Sequence, residues 1–314
     1  MLVMLVRRLA MVVPTLLGVS IVVFLLMSVL PGDPLAGLLA QDASAADRAA
    51  LEQSMGLDDP LPVRYVHWLG DALTGDFGYS PYRRRDVADL LGTAFRNTLQ
   101  LAVASAAVGI GLGVALGTIA AVHRGRLLDR LVSVVAMTGI SVPSYWVAIL
   151  LIIVFSANLH WLPAGGMSSG GGGLLDTLKH LVMPAFASAF VSIGVTARMM
   201  RASLLETYGQ DFVDTLRAKG LTGRRILWHV AKNAASPVLT VAGLQVGFLL
   251  GGSVLIETIF SWPGLGQLIF QAISARDFRV IQAGILVVAV TFVLVNLVVD
   301  LLQLVIDPRL RKAA

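Results

Sequence analysis

Between Leu9 and Leu30 the chain runs for 22 residues without a single charge. About 20 apolar residues in a helix cover the roughly 30 Å hydrocarbon core of a bilayer. Five further stretches satisfy the same length and polarity requirement: 99–122, 131–156, 181–197, 238–256 and 280–299. The fourth, at 17 residues and with Pro184 inside it, sits at the lower limit. In hydrocarbon every backbone N–H and C=O must be satisfied within the segment, so these stretches are expected as helices. The expectation is an all-α polytopic membrane protein with six transmembrane helices. Composition agrees. Of 314 residues 56% are hydrophobic and only 14% charged, and the mean hydropathy is +0.81. That is too few charges to clothe a soluble domain of this size, and far too apolar for a disordered chain. The absence of cysteine excludes disulfides, thiolate metal sites and cysteine nucleophiles.

The first stretch follows Arg7 and Arg8, and Ala43-Ser44-Ala45 has the small residues of a signal cleavage site. A signal core is shorter, about 7–15 residues, and lies closer to its cleavage site, so the stretch reads as a retained anchor. Orientation follows from Lys and Arg. With both termini cytoplasmic, 15 of the 24 basic residues fall inside. Six of the remaining nine lie in the segment 31–98, together with ten acidic residues. The basic pI, about 9.9, is therefore an orientation signal and not a nucleic-acid footprint. The chain divides into a cytoplasmic N-terminus and first span (1–30), an external cap (31–98), a membrane core (99–306) holding a cytoplasmic loop (198–237), and a cytoplasmic tail (307–314).

In the cap, 47–53 reads as a helix start with an acidic first turn. A second helix is expected over 64–73, where Val66, Leu69 and Leu73 recur at helical spacing with Tyr65 and Trp68 beside them, suited to headgroup depth. Arg83, Arg84 and Arg85 break the charge trend locally; Asp86, Asp89 or a partner protein are the available counter-charges. The glycine-rich segment 165–173 lacks the Lys-Ser/Thr of a phosphate loop and reads as a flexible linker.

The loop 198–237 is the informative one. Asp211 can cap a short helix, Asp214 lies in its first turn, Arg217 and Lys219 in its last, and Gly220 supplies a left-handed stop. Phe212, Val213 and Leu216 make one face apolar. So short a helix is not stable alone in water. Its apolar face must bury against neighbours such as Ile226 or Trp228, or dock into a groove on a cytosolic partner. Spacing does not choose between them. A second helix is expected from Arg224 to Ala235.

Chemistry is sparse. His67, His123, His160, His180 and His229 have no ligand spacing, and there is no nucleophile elbow, zinc motif or P-loop. The spans hold essentially no ionisable residue; Glu257 and Asp300 are expected at span ends, within reach of water. That speaks against secondary transport, which needs a buried carboxylate or broken helices. The runs Gly109, Gly111, Gly113, Gly117 and Gly247, Gly251 allow close helix packing.

Asp214-Thr215-Leu216-x-x-x-Gly220 resembles the Glu-Ala-Ala-x-x-x-Gly loop of bacterial ABC importer permeases. Its surroundings, QDFVDTLRAKGL from Gln210, look like the dipeptide/oligopeptide/nickel branch. LPGDP from Leu30, MGLDDPLPVRYVHWL from Met55, GDFGYS from Gly75 and SVPSYW from Ser141 agree. So do LPAGG from Leu162, ETIFSWPGLG from Glu257, ARDFRVIQ from Ala275 and DPRLR from Asp307. In order and together they are similar to the B-type permease subunit. The departures, Asp at 214 and Thr-Leu at 215 and 216, keep the charge sign and the terminating glycine.

The resemblance implies a type I ABC-importer permease fold in the bacterial cytoplasmic membrane. It implies a second homologous permease, two cytosolic ABC ATPases that carry ATP and Mg, and an external solute-binding protein. This chain would be non-catalytic, without a cofactor of its own, and would form half of an alternating-access path for dipeptides or oligopeptides. Nickel chelates and glutathione are the substrate alternatives. Phe212, Val213, Asp214, Thr215, Leu216, Arg217, Ala218, Lys219 and Gly220 would form the ATPase-coupling segment. Trp262, Pro263, Gly264 and Gly266 would face the binding protein or the outer gate. The competing class is a secondary transporter or channel working without ATPases. A third, an intramembrane enzyme, lacks any Ser/His or metal constellation in the spans.

Overall fold

The computed structural model describes residues 2–29, 58–169, 172–251 and 253–306, with residues 46, 48, 49, 52 and 56. Most of the helix start expected at 47–53 lies outside them, as does the tail from 307. The regular structure of the described chain is helical, apart from one two-stranded ribbon. Helix α1 is Leu2–Val29 and α2 is Leu61–Thr74; the antiparallel strands β1, Tyr79–Ser80, and β2, Arg85–Asp86, follow. Then come α3, Val87–Val122; α4, Leu127–Ser141; α5, Ser144–Leu151, continued by a π-helical stretch Ile152–Asn158; and α6, Leu174–Tyr208. The chain continues with α7, Asp211–Ala218; α8, Gly223–Gly251; α9, Val254–Ile259; α10, Leu265–Ala275; and α11, Phe278–Ile306.

Among the described residues, four helices are long and apolar enough to cross a membrane: α1, α3, α6 and α11. The pair α4–α5 makes a fifth if counted as one span, and it is bent by 105°. The bend has a sequence cause. Pro143 disfavours helical backbone in the residue before it, and Val142 is extended (φ −87°, ψ 127°). The stretch expected as a continuous fifth span, 238–256, is not one helix. It belongs to α8, which ends at Gly251, and to α9, which restarts at Val254. Among the described residues, four such helices, or five with the bent pair, stand where six spans were expected.

The shortest expected span turns out to be the centre of the bundle. Helix α6 has 35 residues and touches α3, α4, α5, α8 and α9. Its neighbour α3 has 36, about 54 Å at 1.5 Å per residue, and runs straight through the boundary expected at 98. The two approach closely because of the glycines on α3. A Cβ on Gly113 would meet Thr196 Cβ at 2.5 Å, and one on Gly117 would meet the Ala197 carbonyl oxygen at 2.4 Å. Close approach replaces the hydrophobic driving force that lipid does not supply. Outer faces are apolar and exposed: Val22 and Leu26 on α1, Val134 and Met137 on α4.

Three apolar clusters stack along the bundle. One joins α3, α10 and α11 around Leu91, Leu268 and Val280. The middle one gathers Leu101, Met183, Ile256, Phe260 and Trp262. The third, at the end carrying the basic loop, gathers Ala121, Leu204, Val213, Ile226 and Val230. Helix α2 carries the periodicity expected over 64–73, and its aromatics pack on α1. Tyr65 and Trp68 pack on Phe24 of α1, with ring centroids 5.5 and 5.7 Å away, and Tyr65 Oη lies 2.8 Å from Ser20 Oγ.

Candidate functional sites: a protruding helix and a buried hairpin

Helix α7 forms at the positions its sequence indicates, with one correction. Its N-cap is Gln210, and no side chain caps it; Asp211 is already the first helical residue. Asp211 and Asp214 instead place negative charge in the first turn, favourable to the helix dipole. Asp214 also pairs with Arg217 at 2.8 Å, exposed on both sides, a contact that adds little stability. The stop is a Schellman motif. Leu221 N–H donates to the Leu216 carbonyl at 3.2 Å and Gly220 N–H to the Arg217 carbonyl at 2.9 Å. Gly220 sits at φ +75°, as the sequence requires.

The apolar face of α7 is consumed by its own chain. Val213 is fully buried, and Phe212, Leu216 and Leu221 pack beside it on Leu204, Ile226 and Val230. Trp228 takes no part and is 66% exposed. Of the two expected destinations for this face, burial against neighbours is the one observed, with Ile226 and not Trp228 as the contact. The exposed ridge is polar: Asp214, Thr215, Arg217, Ala218, Lys219 and Gly220. Behind it, Arg201 of α6 grips Asp129 of α4 in a two-pronged ion pair, Nε–Oδ1 2.6 Å and Nη2–Oδ2 2.9 Å. Gly125 N–H also donates to Asp129 Oδ2 at 2.9 Å. Asp129 is buried while Arg201 is one-third exposed. The pair fastens the α3–α4 turn to α6 just before α7. No spacing rule on the chain joins residues 72 positions apart, so it was not visible in the sequence.

At the opposite end α9 and α10 form a tight hairpin. Of the four residues expected at the outer gate or the binding-protein contact, Pro263 alone is exposed; Trp262, Gly264 and Gly266 are buried. The Trp262 indole N–H donates to the Asn97 carbonyl at 2.9 Å, and the Asn97 side-chain amide donates to the Pro263 carbonyl at 2.9 Å. Glu257 does not meet water at a span end: it is fully buried. Thr98 and Ser253 hydroxyls donate to its Oε1, each at 2.8 Å, and Gln267 N–H donates to Oε2 at 3.0 Å. The Thr98 hydroxyl accepts from Leu265 N–H at 2.8 Å, so its own proton is committed to the carboxylate. The glycines are there for room. A Cβ on Gly264 would lie 2.5 Å from the Glu257 carboxyl, and one on Gly266 would lie 2.6 Å from Val254 Cα.

Two other segments close on this hairpin. Gly166 N–H donates to the Phe260 carbonyl at 2.7 Å, and a Cβ on Gly165 would meet the same oxygen at 2.6 Å. Gly165 and Gly166 are thus packed parts of the hairpin's wall and not a flexible linker; residues 170 and 171 lie outside the described chain. The ribbon joins through Ser80, whose hydroxyl donates to Asp277, and through Arg83, which donates to Gln271. Arg83 thus contacts a neutral amide, not the acidic residues expected beside it.

A multi-span helical protein with its main loop folded into a rigid, polar-ridged helix is the class that fold and sites define. Residues 113–312 match the family model described as binding-protein-dependent transport system inner membrane component. Residues 1–104 match the corresponding N-terminal model. The chain belongs to this family of multi-pass inner-membrane proteins and is a permease component of an ABC importer. It is 41% identical over 307 residues to the glutathione transport system permease protein GsiC of Escherichia coli (strain K12), covering 98% of each chain. Similarity to GsiC of Shigella flexneri serotype 5b (strain 8401) is the same in identity and coverage. Among solved structures it resembles the MetNI methionine ABC transporter in inward-facing form, with TM-score 0.57, 19% identity, and coverage of 69% of this chain and 96% of the other. That likeness speaks to the fold.

Proposed function

We propose that this chain forms half of the translocation path of an ATP-driven importer for short peptides. It works beside a second homologous permease, two cytosolic ABC ATPases carrying ATP and Mg, and an external solute-binding protein. It has no catalytic residue of its own. Both termini and the loop 198–237 face the cytoplasm, and α8 completes a set of six crossings.

The observation that carries the reading is the construction of α7: apolar face spent internally, both ends fixed, polar ridge from Asp214 to Gly220 left outside. A helix anchored in that way transmits a push from a docked ATPase into α6 and α8. The hairpin bearing Trp262, Pro263, Gly264 and Gly266 is the outer gate, with Pro263 toward the binding protein. Glutathione, named for the relatives at 41% identity, is itself a tripeptide with one γ-linkage and falls within the proposed class. Secondary transport finds less support than the family does, although buried Glu257 supplies the carboxylate that such a transporter would need. All three donors to that carboxylate come from the hairpin and α3, a holding arrangement.

The test is reconstitution. In proteoliposomes the assembled importer takes up tri-alanine or glutathione only with ATP and binding protein present. Uptake by this chain without the ATPases would overturn the proposal.

A further inference from the structure

A cavity of about 320 Å³ opens between α5, α6, α8 and the start of α9, at the lower end of the range for small-ligand sites. Its polar lining is Ser144, Ser188, Ser192, Gln245 and Ser253; its apolar lining includes Phe248 and Ile256. Among the described residues no charged side chain lines it. Ser and Thr in a spanning helix ordinarily satisfy themselves on the carbonyl four residues back. Here Ser105, Thr118, Thr138, Thr207 and Thr291 all do so, at 2.7–3.0 Å. Ser188, Ser192 and Thr196 do not. Spaced four apart on one face of α6, they have buried hydroxyl oxygens and no hydrogen-bond partner among the described residues. Ser192 is 2% exposed and Thr196 fully buried. Gly109 and Gly113 of α3 leave these two side chains room: a Cβ there would come within 2.8 and 2.5 Å of them. Gln245, half-buried, lines the same cavity from α8. Unpaired polar groups at this depth are costly, and native structures retain them where something else completes them.

We infer that this cavity is a substrate subsite in the membrane path, and that it receives the uncharged amide backbone of a short peptide. Hydroxyls and a carboxamide both donate and accept, as a peptide unit does. A charged terminus would find no counter-ion there. The apolar walls accept side chains by contact, without hydrogen-bond selection. The floor is Ser253, whose hydroxyl donates to Glu257, so the subsite lies directly against the gate hairpin. Below it Thr196 continues the hydroxyl column toward the loop end. The inference rests on the short-peptide reading above.

The chain has no cysteine, so single thiols report cleanly. In the complete importer during ATP turnover, Ser188→Cys and Gln245→Cys are treated with a small water-borne methanethiosulfonate. Val134→Cys, on the apolar outer face of α4 and 62% exposed there, is the control. Positions 188 and 245 should label and 134 should not. Tri-alanine supplied through the binding protein should slow labelling at both by at least ~5-fold, as occupancy at several times Kd requires. In parallel, Gln245→Leu combined with Ser188→Ala should lower tri-alanine uptake ~5- to 30-fold, the loss of one or two hydrogen bonds, while binding-protein-stimulated ATP hydrolysis continues. Unreactive thiols, or labelling indifferent to tri-alanine in an importer that transports it, would overturn the subsite and leave the proposed function standing. An unmodified importer that takes up neither tri-alanine nor glutathione would overturn both.

Discussion

At position 220 the backbone is left-handed, φ +75°, with nothing within 4 Å of where a Cβ would stand. The constraint there is conformational, not steric crowding. Gly220→Val should cost about 1–2 kcal/mol in the cap and uncouple transport, with insertion and assembly retained. Gly220→Asn, at home in that region, should keep most of the uptake. Uptake by the valine variant at the unmodified rate contradicts this role. Glu257 presents the reverse case, a side chain defined entirely by partners. Glu257→Leu strands the Thr98 and Ser253 hydroxyls and Gln267 N–H, at about 1–3 kcal/mol for each unsatisfied group. The melting temperature of the purified complex should fall markedly, and less so for Glu257→Gln. Gly220 was legible because its spacing from Asp214 and the local pattern demand a left-handed stop. Glu257 was not, because the Thr98 it bonds lies 159 residues away.

Between elements, the α3–α6 contact is set by which glycines face inward. Gly113→Val drives a side chain into Thr196 Cβ and should abolish accumulation in the membrane. Gly111→Val meets nothing within 4 Å and should leave it unchanged; equal loss in both contradicts the packing described. The sequence showed the glycine run but not its inward members, since that depends on where α6 lies. The Asp129–Arg201 pair binds α4 to α6 close to where α7 begins. Asp129→Ala should destabilise the complex by about 2 kcal/mol or more, because it leaves a partly buried guanidinium unpaired. Adding Arg201→Ala should cost little further. Additive losses would show that the two side chains act independently.

For the molecule as a whole, hydropathy alone located α1, α3, α6 and α11. It missed the division of 238–256 between α8 and α9. It failed again at the α4–α5 bend, where Pro143 breaks an apolar run that otherwise reads as continuous. The blocks ETIFSWPGLG and LPAGG were visible as text, but their convergence on one buried hairpin is a property of the fold. The short helix expected from Asp211 stands where the sequence indicates, and what it leaves exposed is the polar ridge, not the apolar stripe.

The central claim is that this ridge is a cytoplasmic socket driven by a second protein. Thr215→Cys on the cysteine-free chain tests it directly with a membrane-impermeant thiol reagent. The thiol should be silent in intact cells, reactive in inside-out vesicles stripped of the ATPases, and protected again when the ATPases are restored. Labelling from outside intact cells, or labelling that the ATPases do not change, would contradict the account.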